Sequence, residues 1–263
     1  MHVVERRLTD NGPIAGHAER SDRLHYRRRS RELTRDPLSR FLVAEDDDGV
    51  FENGETGRYL QAYEMFRLAA IRCLEDVSTG TRFQREVRPY WGGRRRLTAR
   101  QRVLSRKYFQ GRRMFAFNLY TLILHARILL DRTVSLSRRF LKGAALPSFS
   151  SFSDHKKFFL KNHSLDGAHP KYAAYMRTKT EWFEVPLKFV RDSFIVHSGP
   201  RHFALVVYPS DHDMALLFVR PNAKNSSIGS LNKMGVEVSA RQTIDQVVTF
   251  VRRFATFLRT KTR

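Results

Sequence analysis

The chain has 263 residues with an ordinary apolar content of 41%, enough for one large domain or two small ones. Lys and Arg outnumber Asp and Glu by 48 to 26, a formal charge of +22; such a charge repels itself in a compact state and becomes favourable beside phosphates, whose condensed counterions it releases. The single cysteine, Cys73, excludes an internal disulfide framework and a Cys-rich zinc site, and fits a reducing, cytoplasmic setting.

Residues 1–56 read as a basic, disordered arm. Apolar residues are sparse and aperiodic there, Arg27-Arg28-Arg29 and the acidic run Glu45-Asp46-Asp47-Asp48 carry the charge, and no apolar core of a secretory signal is present. A short docked segment is expected near 39–43. The first helix is predicted over 59–77, where Leu60, Tyr63, Phe66, Ala70, Cys73, Leu74 and Val77 recur at helical spacing, with Thr79-Gly80 as its stop.

Residues 81–98 read as a loop holding Pro89, Trp91, Gly92, Gly93 and the run Arg94-Arg95-Arg96. From Arg82 to Arg113 the chain carries twelve basic residues against one acid, Glu86, with Tyr90, Trp91, Tyr108 and Phe109 interleaved. Cations that hold phosphates beside rings that stack bases suit single-stranded RNA or DNA. The candidate nucleic-acid-binding residues are therefore Trp91, Arg94, Arg95, Arg96, Arg100, Arg102, Arg106, Lys107, Arg112 and Arg113. Tyr108 and Phe109 are expected in the core. The alternative is a solvated helix face with no ligand.

Thr98-Ala99-Arg100-Gln101 has the pattern of a reciprocal N-terminal cap, so a helix starts there. It is expected to run towards Lys142, with a break at Gln110-Gly111 and Gly143 at its end. Phe115, Leu119, Leu122, Ile123, Ala126, Leu129, Leu130 and Val134 make its apolar face. Residues 114–130 are too short for a typical membrane span and carry Asn118, His125 and Arg127, so they read as a buried core helix. Arg127 and Asp131, four apart, are expected to pair.

A short helix is predicted over 154–161, and a longer one from Pro170 to a stop at Ser198-Gly199-Pro200, kinked or interrupted at Pro186. Segments 202–208 and 214–220 read as a β-hairpin, with a third short strand over 236–238. Thr243-Ile244-Asp245-Gln246 is a second capping pattern that opens the last helix. The fold class expected is mainly α: a helical bundle over 57–263 with a small β-hairpin, at about 201–238, before the C-terminal helix.

One local motif carries chemistry. In Val190-Arg191-Asp192-Ser193-Phe194-Ile195-Val196-His197-Ser198, an Arg followed directly by Asp and then by a His closes an amphipathic helix. Arg191, Asp192 and His197 resemble the signature of the HEPN superfamily, in which four to six residues separate Arg from His and Asn, Asp or His often follows the Arg; here five residues separate them. The resemblance covers about ten residues closely and the helical region 59–197 loosely. It implies a two-fold homodimer with the motifs facing each other, and metal-independent endoribonuclease activity of the kind used in defence or toxin systems. In that chemistry the RNA 2′-hydroxyl attacks the adjacent phosphate, the His moves protons, the Arg holds the phosphate oxygens, and Asp192 orients the site. The alternatives are an Arg191 ion pair with Asp192 or Glu184 and His197 as a helix C-cap.

His163, His169, His202 and His212 lack HxxxH or HExxH spacing, and the chain has no Walker or Rossmann phosphate loop and no serine nucleophile elbow. No metal or cofactor is expected. Beside the ribonuclease reading stand a non-enzymatic nucleic-acid-binding module using the segment from Arg82 to Arg113, and an interaction module for an acidic protein partner such as an antitoxin.

Overall fold

The computed structural model describes residues 36, 38, 54–90, 96–137, 141, 147, 149–196, 203–210, 212–219 and 235–259. Two long helices, α1 (Glu55–Glu86) and α2 (Ala99–Ser135), form an antiparallel hairpin. At 1.5 Å per residue they run about 48 and 55 Å. The apolar face of α1 meets that of α2, and Tyr59, Phe66, Cys73 and Val77 are as buried as Phe115, Leu119, Leu122 and Ile123. Across the seam Phe83 stacks on Tyr108 at 3.9 Å, and Asn118 donates to the Asp76 carboxylate at 2.7 Å.

The first helix outruns its predicted limits, whereas the second is unbroken but ends sooner than expected. Gly80, expected to end α1, lies inside it, because a Cβ there would sit 2.1 Å from the Met214 sulfur; the glycine serves close packing rather than termination. Gly111 likewise leaves α2 unbroken, and α2 ends at Ser135, short of Lys142. Its start is as expected: the Gln101 amide donates to the Thr98 hydroxyl at 3.2 Å and Gln101 Oε1 accepts from the Thr98 amide at 2.9 Å. Among the described residues, α2 is the one helix long and apolar enough to cross a membrane, and half of its apolar window is buried in the fold. Two residues of the predicted arm dock against α1. The Asp36 carboxylate accepts from the Tyr59 hydroxyl at 2.7 Å, and Leu38 is fully buried. The remaining residues of 1–53, with the segment 39–43, lie outside the described residues.

The short helices α3 (Phe152–Lys161) and α4 (Pro170–Thr178) follow. The start of α3 is held from α2, where Asp131 accepts from the Phe152 amide at 2.7 Å. The helix expected from Pro170, with its interruption at Pro186, already breaks after Thr178. The Thr180 hydroxyl donates to the Met176 carbonyl at 2.6 Å, a 3₁₀ turn follows (Glu181–Phe183), and two π-wound segments come next (Glu184–Phe189 and Arg191–Val196). Pro186 has no N–H to donate and crowds the preceding turn, and it sits in the first π segment, where the winding is wider.

Three antiparallel strands, β1 (Phe203–Ser210), β2 (Asp213–Val219) and β3 (Gly235–Ser239), pair in sequence order. Val206 faces Leu216, and Leu216 faces Val238. One face of the sheet joins the main core, with Phe218 5.2 Å from Phe194 and the Tyr208 hydroxyl donating to that of Tyr108 at 3.0 Å. The last helix, α5 (Ala240–Arg259), starts three residues before the predicted cap. Ser239 caps it, its hydroxyl accepting from the Gln242 amide at 3.0 Å, while Thr243 is buried inside the helix and donates to the Ser239 carbonyl at 2.8 Å. The architecture is mainly α with a small antiparallel sheet before the C-terminal helix.

Candidate nucleic-acid interface and the Arg191–Asp192 motif

Cations cluster where α1 hands over to α2. Arg96, Arg100, Arg102, Arg106, Lys107 and Arg113 are exposed, and Arg82, Arg85 and Arg88 at the end of α1 are half-buried. Arg102, Arg106 and Arg113, spaced four and seven apart, follow one stripe along the outer side of α2. Glu86 is held between Arg82 at 3.2 Å and Arg100 at 3.5 Å, so the segment's one acid is already neutralised. Arg112 departs from the predicted set. It is turned partly inward, with its Nε buried. Tyr90 is 41% exposed and Phe109 44%. Phe109 is thus not the core residue expected. It lies edge-on to Phe83 at 5.6 Å and leaves half of its surface to solvent. Trp91, Arg94 and Arg95 lie outside the described residues.

The motif residues sit on the second π segment. Arg191 donates through Nε to the Asp192 carboxylate at 2.7 Å, with its terminal nitrogen 2.5 Å from the same oxygen; both side chains stay about one-third exposed. Glu184, the other expected partner of Arg191, is engaged elsewhere, with Lys156 at 3.2 Å and Lys188 at 3.3 Å. His197 lies outside the described residues, so the structure brings together two of the three predicted site residues.

A third charged group joins them that the motif did not include. Arg127, on α2, is 7% exposed, lies with its guanidinium 4.5 Å over the Phe183 ring, and sits 3.3 Å from Asp131. Burial pushes the Arg127 pKa down, and Asp131 offsets part of this; Arg191 adds to the lowering and Asp192 opposes it. Burial likewise raises the Asp131 carboxyl, against the pull of the Phe152 amide and Arg127. Both partners are therefore held in the charged pair at a desolvation cost larger than their attraction offsets. The expected Arg127–Asp131 pair is present. Its proximity to Arg191 and Asp192 is a long-range consequence of folding for which the sequence holds no local signal.

His155 is fully buried among Phe149, Phe159 and Tyr172, and its Nε2 lies 2.7 Å from the Tyr172 hydroxyl. Burial lowers its pKa to about 3, so it is a neutral core residue near pH 7. Among the described residues no group of three or more His, Cys, Asp or Glu is placed to hold a metal ion.

No family model matches the chain, and neither a curated protein nor a solved structure is significantly similar to it.

Proposed function

We propose that the chain is a nucleic-acid-binding module, directed at RNA, which grips phosphates with the cationic tip of the α1–α2 hairpin. The observation that carries the reading is the stripe of Arg102, Arg106 and Arg113 on one exposed face of α2, beside a carboxylate already neutralised by its neighbours. Solvated guanidinium groups are available to phosphates, and their planar fork suits bidentate contact. The half-exposed rings of Tyr90 and Phe109 add surfaces on which unpaired bases stack, which favours single strands over duplex. The test is binding of a labelled 20-nucleotide RNA across a salt series, comparing the intact protein with Arg102→Ala/Arg106→Ala/Arg113→Ala. Affinity that falls steeply with salt, with a shallower slope in the variant, supports the tip; an unchanged slope overturns it.

A second reading is the HEPN-like one: metal-independent RNA cleavage by Arg191, Asp192 and His197, with a homodimer bringing two motifs together. One observation favours it. Arg191 and Asp192 lie on a π-wound segment and keep part of their surface open, and such local winding is frequent at functional sites. Cleavage of single-stranded RNA in EDTA by the intact protein, lost in both Arg191→Ala and His197→Ala, supports this reading. Equal cutting by all three proteins, or none by any, removes it. The interaction-module reading, in which the charge meets an acidic partner protein, predicts little RNA affinity at any salt.

A further inference from the structure

A groove of about 610 Å³ opens between α4, the 3₁₀ turn Glu181–Phe183 and α5, formed by elements that share no residue with the hairpin tip. Its walls alternate cations and rings. Lys171 and Tyr175 are one turn apart on α4, Lys179 closes that helix, and Trp182 follows on the 3₁₀ turn. Across from them Asp245, Thr249, Arg253 and Phe257, each four residues from the next, make one stripe along α5. The three cations are exposed, and none is in an ion pair among the described residues.

The rings are held, not loose. The Trp182 indole donates to the Lys179 carbonyl at 2.9 Å and lies 6.3 Å from Phe152, which fixes its orientation while leaving it half-exposed. Tyr175 lies nearly parallel to Phe250 at 6.3 Å and 5.9 Å from Phe257, and both Tyr175 and Phe257 also keep part of their surface open. Burial raises the Tyr175 phenol, and the charge of Arg253 opposes this. The three rings pack on the edge of the main core and present their open parts beside three exposed cations. That combination matches a ligand with one flat aromatic face and one anionic end.

We infer that this groove binds a nucleotide, its base stacked on the open face of Trp182 beside Tyr175 and Phe257 and its phosphate held by Lys171, Lys179 and Arg253. Asp245 is the one acid of the lining. The same chemistry is presented by a free nucleotide and by one unstacked residue of an RNA strand. The site stands apart from the hairpin tip and does not depend on it.

The test uses Trp182 as reporter in a Trp91→Phe background, since those are the chain's two tryptophans. Adenosine 5′-monophosphate, ribose 5-phosphate and an eight-nucleotide oligoadenylate are titrated separately. Saturable quenching by the mononucleotide or by the oligonucleotide, at least about tenfold weaker with ribose 5-phosphate, is the expected result, since stacking supplies roughly that factor. Removing two cations as Lys171→Ala/Arg253→Ala weakens it by a further factor of about ten or more. Similar affinity for the mononucleotide and the strand assigns a free nucleotide, whereas a strand that binds far better assigns RNA. Quenching that persists in Arg102→Ala/Arg106→Ala/Arg113→Ala separates this groove from the tip. No quenching by either probe in folded protein overturns the inference, as does equal affinity for ribose 5-phosphate or indifference to Lys171→Ala/Arg253→Ala.

Discussion

The two halves of α2 place the same side chain in opposite environments. Towards its N-terminus Arg102, Arg106 and Arg113 stand in solvent along one stripe. Near its C-terminal end Arg127 is sealed over Phe183 beside Asp131. In water a guanidinium is screened and costs little to keep, so it is free to meet a phosphate. Inside the fold it has lost its hydration, and its value lies in the groups it satisfies. Net charge alone, +22 for the chain, does not separate the two roles; burial does.

The largest effect expected from this contrast is at the buried end. Arg127→Ala leaves the Asp131 carboxylate without its cation and opens a gap over Phe183. It should lower stability by about 3 kcal/mol, the usual cost of breaking a buried pair from one side. Urea unfolding of the variant measures this. RNA affinity of the protein that remains folded should match that of the intact chain. A loss of RNA affinity with stability unchanged would reverse the assignment and make Arg127 a ligand-binding residue.

At the exposed end the signs exchange. Arg102→Ala/Arg106→Ala/Arg113→Ala should weaken RNA binding by about 2 kcal/mol at low salt and reduce the slope of log K against log salt by about 2 units, the value for three contacts on a single strand. The same triple should leave the unfolding midpoint almost unmoved, since substitutions of solvated side chains fall within about 0.5 kcal/mol each. A large fall in stability would mean that these side chains are structural, and the contrast along α2 would fail.

Sequence reasoning reached these ends unequally. Thr98 and Gln101 cap α2 through atoms three residues apart, so the pattern is readable without any tertiary knowledge. The apolar periods of α1 and α2 and the apolar runs of β1 and β2 are local in the same sense. Gly80 was misread as a stop because its requirement comes from Met214 on the sheet, far along the chain. Thr243 was misread as a cap because Ser239, tied to Asp213, offers the first amides an earlier oxygen. Arg191 with Asp192 was legible as neighbours, whereas the approach of Arg127 to them, and the groove that pairs α4 with α5, exist only once distant helices pack. Thr98→Ala checks the local part: it should cost about 1 kcal/mol, read from the urea midpoint, through loss of the hydroxyl that holds the Gln101 amide.

The smallest effect lies between the two halves of α2, where Asn118 meets Asp76. Burial pushes the Asp76 carboxyl up to about 6, against the opposing hydrogen bond from Asn118. The unfolded value is about 3.9, so between about pH 6 and pH 4 the folded state holds a proton that the unfolded chain has released. Stability from this group therefore rises as pH falls through that window, and above pH 6 the ionised carboxylate is a net penalty. His155 acts in the opposite sense. Its folded value of about 3 lies below the unfolded 6.5 or so, and its contribution is lost as pH falls through the same range. The Asp76 effect is thus read as a difference. Asp76→Asn keeps an oxygen for Asn118 and removes the charge. It should be more stable than the intact chain by about 1 kcal/mol at pH 7.5, after allowance for partial solvent screening, with the gap closing by pH 4. A gap that is constant with pH would mean that Asp76 is not the titrating group, and the middle of α2 would then behave like its solvated end.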